Sequence, residues 1–394
     1  MNPASPLALA SLVVGLGLAQ VRAAQPPPVT AAPASPAARV VIDKTPSISG
    51  VATPDNLPVL ATAKATKAVK LTPTAFSEIG AEPASAALTM TSAAKRTMTS
   101  TRTCKAADLK LAWPLAGSPG KIWVTHNYTD QDSTANKRDY RGAMHNLAMT
   151  YDGHRGYDID VGSFRQMDAN AVVANAAAPG KVIKVEDTKF DRNMSCTGDA
   201  NYVEVEHKNG FITRYLHIKK GSLKVKVDDQ VTTGQAVGVV GSSGCSTAPH
   251  LHFEVRDCEN DWVEPAKEGM WTADPATYEV SGILDVMLRV GSSISYEQIA
   301  DPAPNPATIK NNQMITVGFS GALRGGDEVT SRMFAVNGGP ELTKEHTFTV
   351  TGRYGQRWMA WTSYLFPGYT GPVLFSLFVN GEVKAIRGFM VTAP

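Results

Sequence analysis

The stretch STAPHLHFEV, residues 246–255, sets His250 and His252 two apart in a run that alternates as a β-strand does. On a strand, residues i and i+2 face the same side, so both imidazoles project from one sheet face. A packing position there would favour Val or Ile. Two close imidazoles repel when both are charged, unless a metal or an anion lies between them or one stays neutral. The chain holds only eight histidines, so this pair asks for partners elsewhere.

GHRGYDID, residues 153–160, supplies them with His154, Gly156 and Asp158. A histidine and a carboxylate four apart in an extended segment converge only if the chain bends between them, and Gly156 permits that bend. His154, Asp158 and one histidine of the pair make two nitrogens and one oxygen. That is the three-ligand pattern of a catalytic zinc, with the fourth position open for water. In TRYLHIKKG, residues 213–221, Tyr215 and His217 read as another i, i+2 pair on a strand.

The surrounding segments predict a mainly β chain. GKVIKVED (180–187) and NYVEVEHKNGFITRYLHI (201–218) alternate apolar and polar residues with period two. Asn209-Gly210 is a hairpin signal within the second. VKVDDQVTTGQAVGVVGSSG (225–244) adds short strands cut by glycine, and no long amphipathic helix is visible. Residues 104–278 therefore read as an antiparallel β domain. Residues 279–394 supply ILDVMLRV, MITVGFSG, HTFTVTG, MAWTSYLF and a hairpin with Asn380-Gly381 at its turn. Short strands at this spacing predict a β-sandwich-like second domain. It has no cysteine and one histidine, His346, so a binding or spacer role is expected.

At 394 residues, two or three domains are expected. Apolar content of 43% and charged content of 19% suit a globular chain. With 38 basic against 36 acidic residues, nothing argues for a nucleic-acid partner or an anionic membrane surface. PLALASLVVGLGLAQV (6–21), followed by Val21-Arg22-Ala23, reads as an export signal over residues 1–23, although no Lys or Arg precedes the run. No other segment is apolar for long enough to cross a membrane. Residues 24–103 are rich in Ala, Pro, Thr and Ser, with Phe76 as the only aromatic. They cannot bury enough surface to offset ordering, and read as a disordered linker or pro-segment. Export and an even cysteine count (Cys104, Cys196, Cys245, Cys258) predict two disulfides, with three connectivities open.

Taken together, residues of about 110–275 resemble the lysostaphin-like (LytM-type) zinc endopeptidases. That family carries H-x-G-x-D, then Y-x-H, then a Gly-rich loop leading into H-L-H-F-E. Here these are His154/Gly156/Asp158, then Tyr215/His217, then GQAVGVVGSSGCSTAPHLHFEV, in the same order. The resemblance implies one zinc per catalytic domain, held by His154, Asp158 and His252. It implies a zinc-activated water as nucleophile, His250 as the base that handles its proton, and His217 as a second catalytic histidine at the developing oxyanion. It implies a peptide bond of bacterial peptidoglycan, in a stem or a cross-bridge, as substrate. A periplasmic or extracellular location and a monomer are expected.

Three departures stand out. Ala248 replaces the usual glycine before Pro249, Ile218 follows the Y-x-H histidine, and residues 127–151 form a polar insertion that would line the substrate groove. Loops around Cys196 and Cys245 should flank the site, which favours Cys196–Cys245 with Cys104–Cys258, with Cys245–Cys258 as the local alternative. His126, His145 and His346 read as surface or loop histidines and His207 as structural. Glu254 is either a partner of a ligand histidine or a structural carboxylate. Asp160 shares the parity of Asp158, but the motif spacing selects Asp158. Rival readings are a non-catalytic wall-binding or hydrolase-regulating module, a structural metal clip, and an endopeptidase acting on Gly-rich proteins.

Overall fold

A computed structural model describes residues 109–132, 138–142, 153–273, 280–335, 344–350, 356–364 and 366–394. The expected export signal, the linker, Cys104 and His145 lie outside the described residues, as does the side chain of His346. Among the described residues the chain is mainly β and its sheets are predominantly antiparallel.

The first half contributes β1 (Val124–Asn127), β2 (Tyr157–Asp160), the short helix α1 (Phe164–Asp168), β3 (Val173–Asn175) and β4 (Gly180–Glu186). It continues with β5 (Ser195–Cys196), β6 (Tyr202–His207), β7 (Ile212–Leu216), β8 (Gln230–Val231), β9 (Ala236–Val239), β10 (Cys245–Ser246) and β11 (His250–Arg256). A seven-stranded antiparallel sheet forms in the order β1-β2-β11-β7-β6-β4-β8. Asn209 (φ 68°) and Gly210 (φ 81°) take the left-handed turn that joins β6 to β7, as the hairpin signal requires.

Period-two alternation sorts the two faces. Leu251, Phe253 and Val255 of β11, Tyr157 and Ile159 of β2, and Tyr215 of β7 are buried in one apolar core. Trp123 belongs to that core and stacks on Trp113 at 4.9 Å between ring centroids. His250, His252 and Glu254 occupy the other parity of β11. Register then decides which carboxylates they meet: His252 lies opposite Asp158 and His250 opposite Asp160.

The second half forms β12 (Gly282–Val290), α2 (Tyr296–Ala300), β13 (Thr308–Lys310), β14 (Ile315–Leu323) and β15 (Glu328–Ala335). Then come β16 (Lys344–Thr349), β17 (Gln356–Tyr364), β18 (Gly371–Val379) and β19 (Glu382–Thr392). A three-stranded sheet, β12-β14-β17, and a five-stranded sheet, β13-β19-β18-β15-β16, share one apolar core that includes Val286, Val317, Phe319, Met333, Phe375 and Phe389. Its β13–β19 pair is parallel. Asn380 (φ 53°) and Gly381 (φ 79°) make the two-residue turn of the last hairpin.

Candidate metal centre

Strands β2 and β11 and the loop before β2 converge on one buried point. His154 precedes β2, Asp158 lies within it, and His252 sits beside Asp158 on β11. His154 Nε2 is 3.2 Å from His252 Nδ1 and 3.1 Å from Asp158 Oδ2, and His252 Nδ1 is 2.8 Å from Asp158 Oδ1. All three ligand atoms fall within 4.8 Å of one another. Donors on a tetrahedral zinc at about 2.0–2.1 Å stand roughly 3.3 Å apart, so this set fits that ion.

The other ring nitrogens fix which atom of each histidine faces the cluster. His154 Nδ1 donates to the Tyr128 carbonyl at 2.8 Å, which leaves the Nε2 lone pair for a cation. His252 Nε2 donates to Glu254 Oε1 at 3.2 Å, which leaves Nδ1. Glu254 is thus the carboxylate behind a candidate ligand histidine, an arrangement that fixes the ring and raises its basicity. Arg214 and Arg256 hold Glu254 in turn, at 3.2 and 2.8 Å. Asn127 Nδ2 donates to Asp158 Oδ2 at 2.8 Å.

Electrostatics follow this geometry. Burial alone would raise the Asp158 pKa, but His154 and His252 hold its carboxyl well below the usual range. Burial would lower that of His252, yet hydrogen bonds to Asp158 and Glu254 push it up to about 10. Burial also works against the Glu254 carboxylate, and the facing His252 and two arginines overcome it and hold the pKa far below the ordinary value. A cation would take the place of the proton at His252 Nδ1, because Asp158 already supplies the negative charge.

His250 and His217 lie next to this cluster, with ring centroids 4.5 Å apart. Each donates its Nδ1 proton to a main-chain carbonyl, His250 to Ala248 at 2.8 Å and His217 to Ser243 at 2.6 Å. Both therefore keep an Nε2 lone pair, and that of His250 lies 3.6 Å from Asp158 Oδ1. Burial pushes His250 down to about 3 and His217 to about 4, assisted in each case by a neighbouring imidazole. Near neutrality both are uncharged.

Several sequence readings need correction. His217 is not an i, i+2 partner of Tyr215, because β7 ends at Leu216 and His217 adopts φ 63°. Tyr215 faces the core, where its hydroxyl accepts the Ala177 N–H at 2.7 Å. The left-handed residue reverses the parity and turns His217 toward His250 and His252; histidine is among the residue types that tolerate this region.

His126 is not a surface histidine. It is buried on β1, with Nδ1 3.0 Å from Asp160 Oδ2 and Nε2 3.9 Å from Asp158 Oδ2. It falls where the β1–β2 register shifts, between Thr125 and Asn127. A bulge of this kind re-aims side chains, and no period-two reading reveals it. Asn127 and Tyr128, read as the start of an insertion, instead hold Asp158 and His154.

Gly156 has a different purpose from the one expected. Its φ is not left-handed; rather, a Cβ there would collide with the Phe253 carbonyl and lie 3.0 Å from His252 Nε2. Gly156→Ala is expected to destabilise the chain by about 1–3 kcal/mol through overpacking. A thermal melt checks this, and an unchanged Tm would show that the neighbouring strand yields at no cost. His207 is structural, bonded to the Pro179 carbonyl and to Thr213 Oγ1. The Ala248 methyl is fully buried in an apolar cluster. A disulfide joins Cys196 to Cys245 across the β5–β10 ladder, and Cys258 is also disulfide-bonded, to a residue outside the described ones.

Residues 152–265 match the model of Peptidase family M23, so this part of the chain is an M23 peptidase domain. The chain is 30% identical over 138 residues to peptidoglycan DD-endopeptidase ShyC of Vibrio cholerae, covering 33% of this chain and 30% of that protein. It is 46% identical over 55 residues to peptidoglycan DD-endopeptidase ShyA of the same organism, covering 14% and 12%. It is 31% identical over 121 residues to glycyl-glycine endopeptidase ALE-1 of Staphylococcus capitis, covering 30% and 28%. The matched region spans less than a third of each of these relatives.

Proposed function

We propose that the chain is an exported zinc endopeptidase that hydrolyses a peptide bond of bacterial peptidoglycan. The observation that carries this reading is the convergence of His154 Nε2, Asp158 and His252 Nδ1 beside two neutral imidazoles whose Nδ1 atoms are held by main-chain carbonyls. A structural metal clip has no use for His217 and His250. When bound, zinc supplies an acidified water and polarises the scissile carbonyl.

The chain's own residues do the rest. His154, Asp158 and His252 hold the metal, and Glu254 keeps His252 in the ligating tautomer. His250 takes up a proton at Nε2 while the Ala248 carbonyl fixes its ring. It then returns that proton to the leaving amine. His217, held by Ser243, stands ready to donate toward the oxygen on which charge develops.

In this reading the catalytic domain spans 104–278 and the accessory β domain 279–394. The peptidoglycan substrate is supported by the named activities of ShyC and ShyA, and endopeptidase chemistry by that of ALE-1. Export suits a wall substrate, and among the described residues no helix is long and apolar enough to cross a membrane. Dialysis against a strong chelator is expected to abolish release of new amino termini from purified peptidoglycan, and added zinc to restore it. Full activity in the chelated protein would remove zinc from the account.

A further inference from the structure

His250 Nδ1 lies 2.8 Å from the Ala248 carbonyl and 3.3 Å from Ser246 Oγ, and the loop that carries the Ala248 carbonyl is held from two sides. From the M23 side, Ser246 Oγ donates to that carbonyl at 3.0 Å, and the Cys196–Cys245 disulfide anchors the residue before Ser246. From the other side comes the C-terminal β unit. Tyr296, the first residue of α2, donates its hydroxyl to the Thr247 carbonyl at 2.6 Å. Ala248 itself is fully buried in an apolar cluster with Phe164 and Met167 of α1, Met287 of β12 and Ile299 of α2.

Polar contacts lock this packing in place. The Asp285 carboxylate of β12, 3% exposed, accepts Ser163 Oγ at 2.5 Å and Arg165 Nη2 at 2.7 Å. Arg192 donates to both Asp301 oxygens at 2.8 Å and to Asp168 at 2.6 Å. Gly282 comes so close to Gly120 that a Cβ would collide with its backbone. A spacer or a wall-binding module on a tether needs none of this. Burying a carboxylate at an interface is costly unless its partners are fixed, and here they are.

We infer that the C-terminal β unit is a positioning element of the active site: Tyr296, bonded to the Thr247 carbonyl, and the apolar cluster around Ala248 hold the segment whose Ala248 carbonyl orients the His250 imidazole. The effect on rate rests on the catalytic role proposed for His250, whereas the orientation of the ring does not. A small misplacement of a catalytic group is costly, about 100-fold for an ångström. Loss of one hydroxyl whose ring stays packed should therefore lower kcat by about tenfold with KM unchanged.

The test compares wild type with Tyr296→Phe in the full chain at one fixed pH. Cleavage of purified peptidoglycan is measured together with the histidine Nδ1–H signals in ¹⁵N-histidine-labelled protein, with His250→Ala used to assign the resonance. Expected are an unchanged Tm, the tenfold lower kcat, and a shifted or exchange-broadened His250 Nδ1–H signal. A His250 signal and a kcat both equal to wild type would overturn the inference. If Tyr296→Phe does not fold, Ala248→Gly, which removes only the buried methyl, takes its place with the same readouts. If wild type cleaves no wall preparation, the proposed activity fails, and the Nδ1–H signal alone still decides the positioning claim.

Discussion

Asp158→Ala is expected to strip the chain of zinc and of activity together. Asp158 is the hub of the cluster: His154, His252 and Asn127 all bond it, and His250 and His126 stand within 3.6 and 3.9 Å. Its removal deletes one ligand and also the buried charge that offsets a divalent cation. His154 Nε2 and His252 Nδ1 are then left facing each other at 3.2 Å with no anion between them. Changing a residue behind a metal ligand typically costs about 10–100-fold in affinity, and loss of a ligand should exceed that. Metal analysis after gel filtration checks the prediction. Asp158→Ala protein that retains one zinc per chain would mean that the ligand set is wrong.

His250→Ala should behave differently. His250 makes no edge of the ligand triangle, so zinc content is expected to match wild type. Removal of a positioned proton acceptor lowers kcat by about 10²–10⁴-fold, with little change in KM. This separation of metal retention from turnover divides the work between His250 and His252, two residues of one strand face. Equal turnover by His250→Ala would transfer the proton-handling role to another group, and His217 is the nearest imidazole.

Much of this site was legible in the sequence because strand parity is rigid. His250, His252 and Glu254 share a face wherever a regular strand carries them, and the cross-strand register of β11 with β2 then brings Asp158 and Asp160 alongside. The two hairpin turns were legible from Asn-Gly pairs, since left-handed backbone at both positions suits few other residues.

The misses share a cause. His217 reaches the Asp158 cluster through a single residue of left-handed backbone, and His126 reaches it through a bulge. Both break the period of two that made the other positions readable. Gly156 looked like a hinge because its neighbours had to converge, but it is the close approach of Phe253 that demands glycine, and long-range register is not visible in one segment. Nor could composition show that Tyr296, 49 residues beyond Thr247, would return to the loop that carries His250.

The central claim is that His154, Asp158 and His252 hold a zinc ion that drives peptide-bond hydrolysis. The most direct measurement is zinc content of the purified wild-type chain together with release of new amino termini from purified peptidoglycan. The account predicts about one zinc per chain and new amino termini from the wall peptides. A chain that binds no zinc, or one that binds zinc and opens no peptide bond in any wall preparation, would contradict it.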